Sequence, residues 1–193
     1  MSSEYSIIIT CNAEGMNVAR AIKQQLELNN VRGNVFFEYG NMDVQRTLSV
    51  IDRAKIFICI LTRDSMMGCT SPSDRLRREI IQAKNRKLKM IFINPNGEFR
   101  NEFPEGFPEE LDFVRKTHQI TIHMDSSFER DIAGMKKTEI EPVLRHGLSG
   151  NVVGYISLTL VIVSLIVGFN YAWWAGFLFF FGASYLMSKL HIL

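Results

Sequence analysis

Cysteine is scarce in this sequence, with three in 193 residues, and the three are odd in number and show no metal-ligand spacing. That argues against a complete disulfide framework, and no metal site is expected. Cys11, Cys59 and Cys69 are read as reduced thiols. The first two lie in apolar runs that suit a core, and Cys69, in a polar loop, is the one expected to be reactive. An excess of charge of one sign is missing too: 22 basic against 20 acidic residues leave a net charge of +2, too weak a field to imply nucleic acid as a partner. The amino terminus, Met-Ser-Ser-Glu-Tyr-Ser, lacks both a basic n-region and an apolar h-region, so no signal peptide is expected and the polar part of the chain is placed in the cytosol. Internal repeats and low-complexity stretches are absent.

Charge itself is missing from residues 147–188. Two apolar runs fill that stretch, 152–169 (VVGYISLTLVIVSLIVGF) and 172–187 (AWWAGFLFFFGASYLM), separated by Asn170-Tyr171. At about 1.5 Å per residue the first crosses most of a hydrocarbon layer roughly 30 Å thick. Trp173 and Trp174 at the turn suit an interface, and the flanking Lys136, Lys137, Arg145 and Lys189 place both ends in the cytosol. The expectation is a multi-pass membrane segment of two helices over 152–190, joined by the short linker 147–151 to a domain over 1–146. The alternative is a long buried hairpin of a soluble protein.

Within 1–146, five short β-branched runs alternate with amphipathic segments: Tyr5–Thr10, Asn34–Tyr39, Lys55–Thr62, Lys89–Asn94 and His118–Met124. The runs IIIT, IFICIL and MIFI are apolar at nearly every position, as strands buried on both faces of a parallel sheet are. The first helix is expected to bury Ala19, Ile22 and Leu26, and the second, Asp43 to Arg53, to bury Val44, Leu48 and Ile51. The third is expected to start at Ser71-Pro72 and run to about Lys87. A fourth, short helix is expected to start at Pro108-Glu109-Glu110 and the last to run from Ser127 to Arg145, with Pro142 bending or breaking its end. The fold class is therefore α/β, a flavodoxin-like five-stranded parallel sheet followed by a transmembrane helical hairpin.

In such a sheet, ligands bind beyond the carboxyl ends of the strands, at the switch point between strands one and three. The loops to inspect are 11–17 and 63–74, with 40–43 at their border. Asn12, Glu14 and Gly15 precede a helix, where free N–H groups can meet a phosphate or simply form a turn. Tyr39, Gly40 and Asp43 border the cleft, and Asp43 also suits a helix cap. On the third helix Leu76, Ile80, Ala83 and Lys87 make the inward stripe, with Glu79 about 60° to its side near Arg75. Pattern alone makes Glu79 an ordinary partner of Arg75 on a solvated helix. The basic run from Arg75 to Lys89 reads as a solvated face, with attraction to anionic lipid or to phosphates as a second reading. Phe99, Phe103 and Phe107 pack beneath an acidic loop or form a docking surface.

Taken together, YSIIITCN, NVFFEYGNMDVQRTLSVIDRAKIFICILTRDS and SDRLRREIIQAKNRKLKMIFI resemble, in order and spacing, the Toll/interleukin-1 receptor (TIR) domain family over residues 4 to about 145. The resemblance implies that Glu79 in REIIQAK stands where enzymatic members carry the glutamate of NAD cleavage. It departs from many of them in having Arg75 where a tryptophan is common, and Thr10-Cys11-Asn12 where strand one ends Ser-Tyr-Ser. The loop GNMD lacks the Pro-Gly pair of animal members, which leans the resemblance toward bacterial TIR proteins of defence signalling.

What the resemblance implies is a membrane-anchored hydrolase of the nicotinamide–ribose bond, activated by self-assembly, in bacterial immunity against phage. NAD is its substrate rather than a resident cofactor. Glu79 is the catalytic residue, and Asn12, Glu14, Gly15, Tyr39, Gly40, Asp43 and Arg75 are the candidate NAD contacts. The partners implied are further TIR domains, the lipid bilayer and an upstream sensor protein. The competing readings are a catalytically inactive TIR scaffold and a TIR-gated effector that disrupts the membrane.

Overall fold

The structure, a computed structural model, describes residues 5–37 and 43–144. The chain divides into two units, Met1–His146 and Gly147–Leu193, and every described residue lies in the first. The expected linker, the two expected spans, Tyr39 and Gly40 fall outside the described residues. Among the described residues no helix is long and apolar enough to cross a membrane.

Five strands, β1 (Tyr5–Cys11), β2 (Asn34–Phe36), β3 (Ile56–Ile60), β4 (Lys89–Pro95) and β5 (Gln119–Ile122), form one sheet in the order β2-β1-β3-β4-β5. Every pairing is parallel. The flavodoxin-like order is thus present, and β1 and β3 flank the point where the winding reverses. β3 is buried at all five positions, which is why its sequence shows no polar alternation.

Alternate side chains feed two separate cores. Ile7, Ile9, Ile58, Ile60, Ile91 and Ile93 face the layer of α1 (Met16–Leu28) and α5 (Phe128–Met135). Ile8, Phe57, Cys59 and Phe92 face α2 (Val44–Ile51), α3 (Arg75–Asn85) and α4 (Asp112–Lys116). α1 buries Ala19, Ile22 and Leu26, the expected stripe, at about 1.5–3 kcal/mol for each of the two larger side chains. α2 buries Thr47 and Ile51, while Val44 and Leu48 are only half-buried. The helix is therefore rolled slightly from the expected stripe.

Three expected boundaries shift. β2 ends at Phe36, short of Tyr39. α3 begins at Arg75 rather than at Ser71-Pro72, because Asp74 is the N-cap and accepts from Arg77 N at 2.8 Å. The preceding residues fold instead as a 3-10 turn, Met67–Thr70, which buries Met66 and Cys69. α5 runs into a π-helical turn, Lys136–Ile140, and remains helical through Pro142. The irregularity falls on the amino side of Pro142, where the proline ring and missing N–H disturb the ladder.

Cys69 is not the reactive thiol its polar neighbours suggested. It is buried, and burial together with nearby Asp74 pushes its pKa up to about 12. Burial also raises Cys11, to about 11, and Cys59, so all three thiols stay protonated at neutral pH. Much of the basic run lies on an exposed face, as expected, with Lys84, Arg86, Lys87 and Lys89 exposed, and several of its members pair with acids. Arg77 pairs with Glu110 at 2.6 Å, Arg86 with Asp52 at 2.7 Å and Lys89 with Glu139 at 2.7 Å. Phe99 and Phe107 are buried, with Phe103 stacked against both at 5.6 and 4.7 Å. These rings pack the loop after β4.

Candidate functional site

Side chains alternate along β1, so Thr10 follows Ile8 onto the face covered by α3. A hydroxyl there needs a polar partner, and α3 supplies one. Glu79 joins Leu76, Ile80 and Ala83 on the buried face of α3 and is 0% exposed. It is neither at the edge of a cleft nor solvated. The departure from the helical-wheel expectation has a local cause: a carboxylate can turn inward here because the sheet offers it a donor.

Both carboxylate oxygens are occupied. Thr10 Oγ1 donates to Oε2, and Arg75 Nη1, one turn earlier on α3, donates to Oε1 at 3.2 Å. Arg75 Nη2 also donates to the carbonyl of Cys11, the last residue of β1. The guanidinium thus ties the start of α3 to the end of β1. Burial pushes the Glu79 carboxyl above its ordinary value of 4.5, against the Arg75 charge and the Thr10 hydrogen bond, which pull it down. Leaving such a group unpaired costs several kcal/mol, so Thr10 and Arg75 are what make Glu79 tolerable there.

A second polar group adjoins the first. Asn12 Oδ1 accepts from Gly15 N at 3.1 Å, and the Thr62 hydroxyl lies 3.0 Å from both Asn12 Oδ1 and Glu14 Oε2. Ser65 Oγ accepts from Thr62 N at 2.6 Å and sits 2.9 Å from the Thr62 hydroxyl. The loops after β1 and β3 are thereby knotted together at the switch point. Gly15 serves packing rather than phosphate binding. Its N–H is spent on Asn12, and a Cβ at this position would lie 2.8 Å from that of Cys11.

The expected site residues therefore divide. Glu79 and Arg75 meet at the carboxyl end of β1, and Asn12, Glu14 and Gly15 lie in the loop that continues it. Asp43 caps α2, accepting from Gln45 N at 2.9 Å. Thr10, Thr62 and Ser65 escaped the sequence reading as site residues. For Thr10 a signal existed: it is the hydroxyl-bearing residue in the otherwise apolar run Ile7–Cys11, all of it buried.

Among the described residues no cluster of acidic, histidine or cysteine side chains could hold a metal ion. What the arrangement offers is one buried carboxylate whose charge is held by one hydroxyl and one guanidinium.

No family model and no curated protein matches the chain. Among solved structures it is similar to a metazoan TIR-STING receptor from C. gigas, determined in complex with 2',3'-cGAMP, at 16% identity and a TM-score of 0.46. The match covers 69% of this chain and 39% of the receptor chain, so this chain spans well under half of that protein. A likeness of that size carries no functional argument.

Proposed function

We propose that this chain is a membrane-anchored TIR-type NAD hydrolase in which the Glu79 carboxylate stabilises the transition state. The observation that carries the reading is a carboxylate buried at the carboxyl end of β1, beside the β1/β3 switch point, between Thr10 and Arg75. The sequence resemblance set out above gives that carboxylate its reaction.

Cleavage breaks the bond between the ribose C1′ and the pyridinium nitrogen. The bond pair leaves with nicotinamide, which departs neutral, and positive charge develops on the ribose as in glycoside hydrolysis. Water then adds at C1′ and gives up a proton, or an adenine nitrogen of the same molecule closes a ring. A carboxylate about 4 Å from the cation contributes about 4 kcal/mol at an effective dielectric constant of 20, roughly a thousandfold in rate. That contribution requires Glu79 to be ionised.

The rival reading is a scaffold without activity, favoured by the occupation of both Glu79 oxygens and the zero exposure of its side chain. A purely structural Glu79 would be replaceable by well-packed apolar groups at little cost or with a gain, and a buried carboxyl raised by desolvation beside a specific charge partner at a switch point is a candidate for a working site. Membrane anchoring through 152–190 and activation by self-assembly complete the proposal. A short tether to a surface raises effective concentration without any new contact.

The test is to incubate the purified full chain with NAD, dispersed in detergent and clustered in vesicles, and to measure released nicotinamide. Release that rises steeply on clustering supports the proposal. No release in either state would leave the scaffold.

A further inference from the structure

Glu79 in its resting arrangement is shut off from any substrate. Its side chain is 0% exposed, Thr10 holds one oxygen from within the sheet, and Arg75 holds the other while remaining 23% exposed itself. Of the two partners, only Arg75 can move without disturbing a strand. It is the first residue of α3, where the helix dipole disfavours a cation, so its position rests on the two acceptors it reaches: Glu79 Oε1 and the Cys11 carbonyl. A planar guanidinium can span two such acceptors from different elements, whereas an ammonium acts as a point charge.

Resting on the NAD reading of this site, we propose that Arg75 is a specificity-determining latch: it covers Glu79 until a diphosphate group outside draws the guanidinium away. A phosphate offers Arg the same forked pair of acceptors, with more charge, and a dinucleotide carries two phosphates next to the ribose to be cleaved. The substrate opens the site for itself. A nicotinamide riboside has the same scissile bond and lacks the diphosphate, so it cannot release the latch and is a poor substrate. No bond changes in this step; the guanidinium exchanges one set of acceptors for another.

The experiment uses the full chain in detergent, as wild type, Arg75→Gln and Arg75→Lys, each checked for folding by circular dichroism. The first readout is labelling of Glu79 by a water-soluble carbodiimide and an amine, scored by peptide mass spectrometry against the exposed Glu105. The second is the ratio of turnover on NAD to turnover on nicotinamide riboside.

The latch predicts slow labelling of Glu79 in the wild type and a rise of at least tenfold in Arg75→Gln. Arg75→Lys falls between the two, and it carries the comparison if Arg75→Gln does not fold. The turnover ratio should drop at least tenfold in Arg75→Gln, whereas a merely structural Arg75 would lower both activities together. Labelling of wild-type Glu79 as fast as Glu105, or no change on substitution, would overturn the latch. Faster labelling of the variants with no cleavage of NAD by any of the three proteins would uphold the cover over Glu79 and sink the NAD reading instead.

Discussion

The two layers that cover the sheet are built to different rules. The α1/α5 layer meets the strands with apolar side chains, Ile22, Leu26, Ile132 and Met135 against Ile7, Ile9, Ile58 and Ile93. The α2/α3/α4 layer has nearly as many buried apolar groups, but Thr10, Thr47, Glu79 and Asn94 are buried with them. Asn94 has a structural task there, exchanging hydrogen bonds with the backbone of Phe99. Glu79 has no backbone to pin; its partners are the side chains of Thr10 and Arg75. Both layers bury an apolar core, but only the second brings a buried carboxylate to the switch point, where its partners must offset its desolvation.

Substitutions can separate the two roles. Leu26→Ala, in the apolar layer and fully buried, should cost about 2–5 kcal/mol, read by chemical denaturation, while NAD cleavage per folded molecule stays unchanged. Gly15→Ala comes next. The backbone there is unstrained, with φ of −76°, but the new methyl group meets Cys11, so a loss of about 1–3 kcal/mol is expected from overpacking.

Thr10→Val removes the hydroxyl from Glu79 and should cost about 1–3 kcal/mol at neutral pH, with a pH dependence that the apolar layer cannot produce. Because burial raises the Glu79 carboxyl above 4.5, the folded state binds that proton more tightly than the unfolded one does. Its stabilising contribution is full below 4.5 and is lost as pH rises through the raised value. The melting-temperature gap between wild type and Thr10→Val should therefore narrow as pH falls from neutral towards 4.5. The acid limb of NAD cleavage should lie above 4.5 in the wild type and move higher still in Thr10→Val. The smallest effect is expected for Arg86→Ala. Its pair with Asp52 is open to solvent on both sides, and melting temperature and activity should stay where they were.

The apolar layer was the more legible of the two. Continuous β-branched runs identify strands covered on both faces, and the stripe of Ala19, Ile22 and Leu26 gives α1 its orientation without further information. Sequence reading failed where a polar side chain chose its partner through space. Asp74 and Ser71 are both good caps, and only the tertiary packing of Met66 and Cys69 under the 3-10 turn decides for Asp74. Cys69 looked exposed because its neighbours in sequence are polar, while its neighbours in space are the apolar core. Glu79 looked like half of a surface pair with Arg75. That pair exists, but the bond to Thr10, 69 residues away in sequence, makes it a buried one, and helical periodicity carries no trace of so distant a contact.

The most direct test of the account is the rate of nicotinamide release from NAD by the clustered full chain, wild type against Glu79→Gln. Glutamine keeps the shape and an acceptor oxygen and removes only the charge. The account predicts a fall of about a thousandfold, with a melting temperature near that of the wild type and a flatter dependence of stability on pH between neutral and 4.5. Equal rates in the two proteins would contradict it and leave Glu79 as a buried structural charge.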